Sequence, residues 1–232
     1  MGLPGTGQDG GRLPAAVLFD MDGTLLDTEH LWLRAEIATM EAIGGDWSTE
    51  DQRHCLGGPL ERVVAYMQAR AGRPVDTSEV QDLLLTGIVN LMRSAPVDWR
   101  PGARDVLHEA VTLGLPAALV TASWRSLVEA VHDRVAADLG YEPFTVIVGG
   151  DDVKQSKPHP EPYLAAAAAL GVAPEECLAL EDSPTGVASG LAAGCRVVAI
   201  PHIAPIEPTA GLAIVPALSG KSIADLWALH AS

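Results

Sequence analysis

Aromatic side chains make up only 4% of this 232-residue sequence, and positive charge is scarce, with 15 Lys plus Arg against 30 Asp plus Glu. Few aromatics argue against an all-β sandwich. The 48% hydrophobic content, mostly Ala, Leu and Val, suits helices packed on a sheet around a sizeable core. A formal net charge of −15 repels polyanions, which sets aside nucleic acid and anionic membrane surfaces as partners. Small phosphorylated substrates stay open, because a bound cation reverses the sign of the field locally. Cysteine is also sparse. Cys55, Cys177 and Cys195 have neither the spacing of metal ligands nor the even count of a disulfide framework. They read as small core residues of a cytoplasmic protein. The seven histidines show no ligand spacing. No apolar run approaches the length of a membrane span, and the first residues lack the apolar stretch of a secretory signal. Gly2 and Thr6 fit a myristoylation pattern, but no polybasic patch follows, and residues 1–13 are expected to form a flexible leader.

What is present is a set of short, continuous apolar runs: Ala15 to Phe19, Pro116 to Val120, Thr145 to Val148, Cys177 to Leu180 and Arg196 to Ile200. Such runs mark strands buried on both faces, and each ends in polar or glycine-rich residues. Helical patterns lie between them. Gly102 to Leu113 stops at Gly114, Pro162 to Leu170 stops at Gly171, and Ser183-Pro184 opens a helix that ends at Gly194. This alternation predicts an α/β fold, a Rossmann-like, doubly wound parallel sheet. Residues 28–96 interrupt it with helical patterns alone: Glu29 to Ile43, Leu60 to Ala71 and Asp76 to Ser94. Asp76 and Glu79 are placed as a capping box for the last of these. We read a core domain formed by residues 14–27 and 97–232, with a helical domain inserted over 28–96. Residues 201–232, with a helix-like Ser222 to Leu229, are expected to pack against the sheet edge.

In an open parallel sheet the site forms beyond the carboxyl ends of the strands. Asp20 and Asp22 follow the first run, Thr121, Ala122 and Ser123 the second, and Glu181 and Asp182 the fourth, while Lys157 follows the third within Ser156-Lys157-Pro158-His159-Pro160. Each has an ordinary alternative as a turn residue, solvated charge, buried hydroxyl or helix cap. Together, in this order, they form a site. Clustered carboxylates call for a hard divalent cation among them. Beside that cation, a Lys, a hydroxyl and backbone N–H groups around Thr121 and Ala122 make a pocket for a tetrahedral dianion.

Asp20-Met21-Asp22-Gly23-Thr24-Leu25-Leu26-Asp27-Thr28-Glu29 resembles the first motif of the haloacid dehalogenase superfamily. Val120 to Ser123, Lys157 to Pro162 and Glu181-Asp182-Ser183 are similar to its second, third and fourth motifs. The resemblance implies a Mg²⁺-dependent phosphatase acting on a small phosphorylated metabolite. Asp20 would be the nucleophile that forms an aspartyl-phosphate, and Asp22 the acid and then the base. Thr121 would bind the phosphoryl group, and Lys157 would tie Asp20 to it. Asp20, Asp182 and the backbone carbonyl of Asp22 would hold the metal, with Glu181 ligating directly or through water. The inserted helices correspond to a small cap of the β-phosphoglucomutase-like branch, with hinges near Asp27-Thr28 and Val97 to Arg100.

Within that superfamily, Asp22 points to phosphoryl transfer rather than carbon–halogen cleavage. The lack of any lysine from Glu29 to Ala95 argues against Schiff-base phosphonate chemistry. Small and acidic residues in Leu56 to Glu61 favour a phosphatase over a β-phosphoglucomutase-type mutase. Arg53, Gly58, Arg62, Trp124 and Arg125 are the candidate substrate contacts. A phospho-accepting receiver module would gather similar groups, but receivers are about half this length and lack the insertion. A catalytically dead scaffold is disfavoured by the complete set of acidic, hydroxyl and lysine groups.

Overall fold

The computed structural model describes residues 13–55 and 60–230. Most of the leader and the segment 56–59, which includes Gly58, lie outside the described residues. Six strands, β1 (Ala16–Phe19), β2 (Ala117–Val120), β3 (Val146–Val148), β4 (Cys177–Glu181), β5 (Arg196–Ala199) and β6 (Leu212–Ile214), form one sheet in the order β3-β2-β1-β4-β5-β6. Every pairing is parallel. β6 is an edge strand within the segment expected only to pack against that edge.

Side chains alternate across each strand, so the two faces of the sheet have different cores. Val17 and Phe19 of β1 point into a core of larger residues. There they meet α5 (Ala103–Thr112), α6 (Arg125–Leu139) and α9 (Ile223–Ala228). Ala16 and Leu18 point the other way, to α7 (Glu161–Leu170) and α8 (Pro184–Ala193). That second core is rich in alanine, and the helix approach is close: a Cβ on Gly190 of α8 would lie 2.9 Å from Val197 Cγ2. The scarcity of aromatics and the abundance of Ala thus have one cause, thin layers packed tightly on the small-residue face.

Between β1 and α5 the chain forms four helices, α1 (Glu29–Ala42), α2 (Thr49–Cys55), α3 (Leu60–Arg70) and α4 (Thr77–Ser94). α1 packs on α4, and α4 also packs on α6 of the sheet-flanking layer. The capping box expected at Asp76 and Glu79 does not form. Asp76 sits at the N-cap without a side-chain bond, and the Glu79 carboxylate is engaged by Arg73 rather than by the N-cap backbone. Boxes do form elsewhere, where Ser48 and Asp51 exchange bonds at the start of α2 and Ser222 and Asp225 at the start of α9.

The outgoing and returning chain segments pair with each other. Leu26 and Trp99 form an antiparallel bridge, Asp27 N donates to Asp98 O at 2.9 Å, and Arg100 N donates to Leu25 O at 2.8 Å. This short ribbon lies one tight turn beyond β1, where Leu25 N and Leu26 N both donate to Met21 O. Gly23 supplies the turn, at a φ of +83° that other residues rarely adopt.

Candidate active site

The strand order turns outward in both directions from β1 and β4, and the crevice beyond their carboxyl ends is where open α/β sheets bind ligands. Asp20 follows β1, Thr121 follows β2, and Glu181 is the last residue of β4. Lys157 completes the group: its Nζ donates to Asp20 Oδ1 at 2.7 Å, Glu181 Oε1 at 2.6 Å and Val120 O at 2.9 Å. All three donor hydrogens of the ammonium are used, with 4% of the side chain exposed. Burial alone would lower its pKa, but the Asp20 and Glu181 carboxylates outweigh that and push it up.

Glu181 is fully buried and also accepts from Tyr163 OH at 2.5 Å. Burial raises its pKa to about 7, with Asp20 adding to the effect and Lys157 opposing it. Asp182 is pushed upward too, first by burial and then by Asp20 and Glu181. One ammonium therefore faces three carboxylates, and ligand oxygens of Asp20, Glu181 and Asp182 all lie within 4.8 Å of one another. An all-oxygen donor set with excess negative charge suits a hard divalent cation. Gly23 keeps the place open: a Cβ there would lie 2.2 Å from Asp182 Oδ2.

Asp22 is held apart from this cluster. Thr28 Oγ1 donates to its Oδ1 at 2.6 Å and Ser123 Oγ to its Oδ2 at 2.7 Å. Burial raises its pKa, partly offset by those two hydroxyls. Thr121 is buried, and its Oγ1 accepts from Ser123 N at 3.0 Å, which leaves its own hydrogen free to donate. The backbone N–H of Thr121 is not a phosphate donor, in contrast to the expectation above, because it is committed to Val148 O in the sheet. Ala122 is exposed at the same turn.

The structure thus brings Asp20, Asp22, Thr121, Lys157, Glu181 and Asp182 together. The outlying candidates are placed differently. Arg125 is engaged by Asp152 at 2.5 Å, and Arg62 Nη2 donates to the carbonyls of His54 at 3.0 Å and Cys55 at 3.2 Å. Arg53 is exposed on α2, and Trp124 is half-buried at the N-cap of α6. The sequence reading placed Ser123 at the site but not its bond to Asp22, and it missed both Thr28 as a partner of Asp22 and Tyr163 as a partner of Glu181. Ser123 and Thr28 stood inside recognised motifs. Tyr163 lies in an alanine-rich helix and gave no signal.

The sequence matches the haloacid dehalogenase-like hydrolase family over residues 17–200. The chain belongs to that family. Among the family's members, Protein CbbY of Rhodobacter capsulatus is 36% identical over 192 residues, covering 80% of this chain and 85% of that one. Hexitol phosphatase B of Escherichia coli (strain K12) is 34% identical over 189 residues, covering 80% and 83%. A mutant of CbbY from Rhodobacter sphaeroides, crystallised with xylulose-(1,5)bisphosphate, superposes with a TM-score of 0.80 at 30% identity, covering 92% of this chain and 99% of that one. Within the haloacid dehalogenase-like hydrolases, this protein is a phosphoric monoester hydrolase.

Proposed function

We propose that the protein is a Mg²⁺-dependent phosphatase that hydrolyses a small phosphorylated metabolite, a sugar or related phosphomonoester, through an aspartyl-phosphate on Asp20. The observation that carries this reading is Lys157 bridging Asp20 and Glu181, with Asp22 held separately by Thr28 and Ser123. A carboxylate attacks an anionic phosphate only where positive charge offsets the repulsion. Lys157 fixes one oxygen of Asp20 and supplies one such charge. Asp20 and Asp182 would hold Mg²⁺, aided by the backbone carbonyl of Asp22 and by Glu181. When bound, the ion neutralises charge on the phosphoryl oxygens. Thr121 donates its free hydrogen to the transferring group. Asp22 protonates the leaving oxygen and then takes a proton from the attacking water. Its upward-shifted pKa favours the acid form that the first step needs.

Residues 28–96 act in this reading as a cap that excludes bulk water, with the paired ribbon at 25–27 and 98–100 as its attachment. The engagement of Arg62 by backbone carbonyls supports hydrolysis over a mutase, which needs free basic groups for a second phosphate. A cytoplasmic setting is supported by three free, buried cysteines, and among the described residues no helix is long and apolar enough to cross a membrane. The test is turnover of an aryl phosphate: activity with Mg²⁺, loss with EDTA, and loss in Asp20→Asn. Full turnover by Asp20→Asn would remove the nucleophile assignment.

A further inference from the structure

Among the described residues, Tyr163 of α7 is the only aromatic side chain in the alanine-rich core, and it is fully buried. A phenol in such a place needs a partner for its O–H. It donates to Glu181 Oε1 at 2.5 Å, and Lys157 Nζ donates to the same oxygen at 2.6 Å. Both acceptor positions of Oε1 are therefore filled, whichever protonation state Oε2 has. The rest of the carboxylate is enclosed. Ser183 Oγ lies 3.4 Å from Oε2, and Gly186 of α8 packs so closely that a Cβ there would lie 1.9 Å from Oε2 and 2.1 Å from Oε1. The neighbouring acids differ. Among the described residues, Asp20 Oδ2 and both carboxylate oxygens of Asp182 accept no hydrogen bond, while Asp20 Oδ1 is held by Lys157.

We propose that Tyr163 is a positioning residue: by filling the second acceptor position of Glu181 Oε1, it keeps Glu181 as the anchor of Lys157 and out of direct contact with the metal ion. This rests on the phosphatase reading above and sharpens it, since Asp20 and Asp182 become the only carboxylates that ligate the ion. Lys157 spends its three hydrogens on Asp20, Glu181 and Val120 O, so its aim at Asp20 depends on Glu181 staying in place. Without the phenol O–H, Oε1 has an open acceptor position. Lys157 has no hydrogen left for it, which leaves the ion to take it. Glu181 then turns from Lys157, and the nucleophile loses the alignment that attack requires. The Tyr163 ring contributes separately, because Lys157 Nζ lies over it, 5.2 Å from its centroid. Phe keeps that contact, so Tyr163→Phe removes the O–H alone.

The experiment loads the protein with Mn²⁺, which takes the same oxygen ligands as Mg²⁺, and reads ¹³C couplings from labelled carboxylates by electron–nuclear double resonance. Wild type labelled in its aspartates is expected to show the coupling of directly bound carboxylates, and wild type labelled in its glutamates to show none. In Tyr163→Phe the glutamate coupling should appear. In the same variant kcat for an aryl phosphate with Mg²⁺ should fall roughly tenfold at unchanged KM, about the worth of one buried hydrogen bond. That loss should vanish when Tyr163→Phe is added to Glu181→Gln, because the phenol acts through Glu181, whereas a packing role would cost the same in both backgrounds. A glutamate coupling in wild type overturns the proposal without any variant. So does an unchanged kcat in Tyr163→Phe, or a loss that persists beside Glu181→Gln. In each of these cases the phosphatase reading survives through wild-type turnover of the aryl ester. Wild type that neither binds Mn²⁺ nor turns over the ester removes both.

Discussion

Lys157 is the residue on which the charge balance of the site turns. It is the cation that Asp20 and Glu181 share, and both carboxylates are buried. Replacing it with Met leaves two buried carboxylates without their ammonium. The expected outcome is a fall in kcat on the order of 10²–10³ and a loss of stability of about 3–5 kcal/mol, read by steady-state kinetics and urea unfolding. Gly23 makes a complementary test. Its φ of +83° and the 2.2 Å between an added Cβ and Asp182 Oδ2 mean that Gly23→Ala displaces a proposed metal ligand while leaving Asp20 and Lys157 in place. The Mg²⁺ concentration for half-maximal activity should rise roughly 10–100-fold. A variant with unchanged Mg²⁺ dependence would show that Asp182 does not hold the ion.

At the scale of elements, the start of α2 carries a pH-dependent contribution. Asp51 accepts from Ser48 N and Oγ, from Tyr66 OH and from Arg70. The Ser48 bonds, foremost the hydroxyl, hold its pKa below the ordinary 3.8 despite the opposing effect of burial. A depressed folded pKa means that the contribution is present above the unfolded value and disappears as pH falls through the folded one. Asp51→Asn should therefore melt a few degrees below wild type at pH 7, with the gap closing below about pH 4, as followed by circular dichroism. This helix was itself hard to read. Thr49–Cys55 has only one buried apolar residue, Cys55, so no 3.6-residue stripe announces it, although Ser48 and Asp51 stood at capping-box spacing. The interior strands were legible for the opposite reason: runs such as Ala16–Phe19 are apolar on both faces and end abruptly. β6 is three residues long and half-covered at the edge; the apolar run Leu212 to Val215 that carries it stands in the sequence between Gly211 and Pro216, and it was passed over inside a tail read only as packing on the edge. The site was legible because its residues stand at strand ends. The partners that tune it, Tyr163 and Thr28, reach it from helices and loops whose folding had to be known first.

At the scale of the whole molecule, the net charge of −15 opposes the approach of any phosphate dianion. Raising NaCl from 20 to 150 mM shortens the Debye length from roughly 20 Å to about 8 Å. At fixed saturating Mg²⁺, kcat/KM for a dianionic substrate should therefore rise with salt, the reverse of what a basic enzyme would show, as stopped-point phosphate assays at several salt concentrations can test. A last consequence comes from the ribbon in which Leu26 pairs with Trp99 and Asp27 with Asp98. The chain leaves the sheet and returns to it at neighbouring points, so the helices between them can change in length without shifting the register of β1 against β2 or β4, as long as Thr28 and the packing of α4 on α6 are kept. Substrate choice can then drift in evolution while the chemistry stays fixed. For the engineer, the same closure marks a grafting point: a helical block from another family member, joined after Thr28 and before Asp98, would keep the hydroxyl that holds Asp22, provided its last helix still packs on α6.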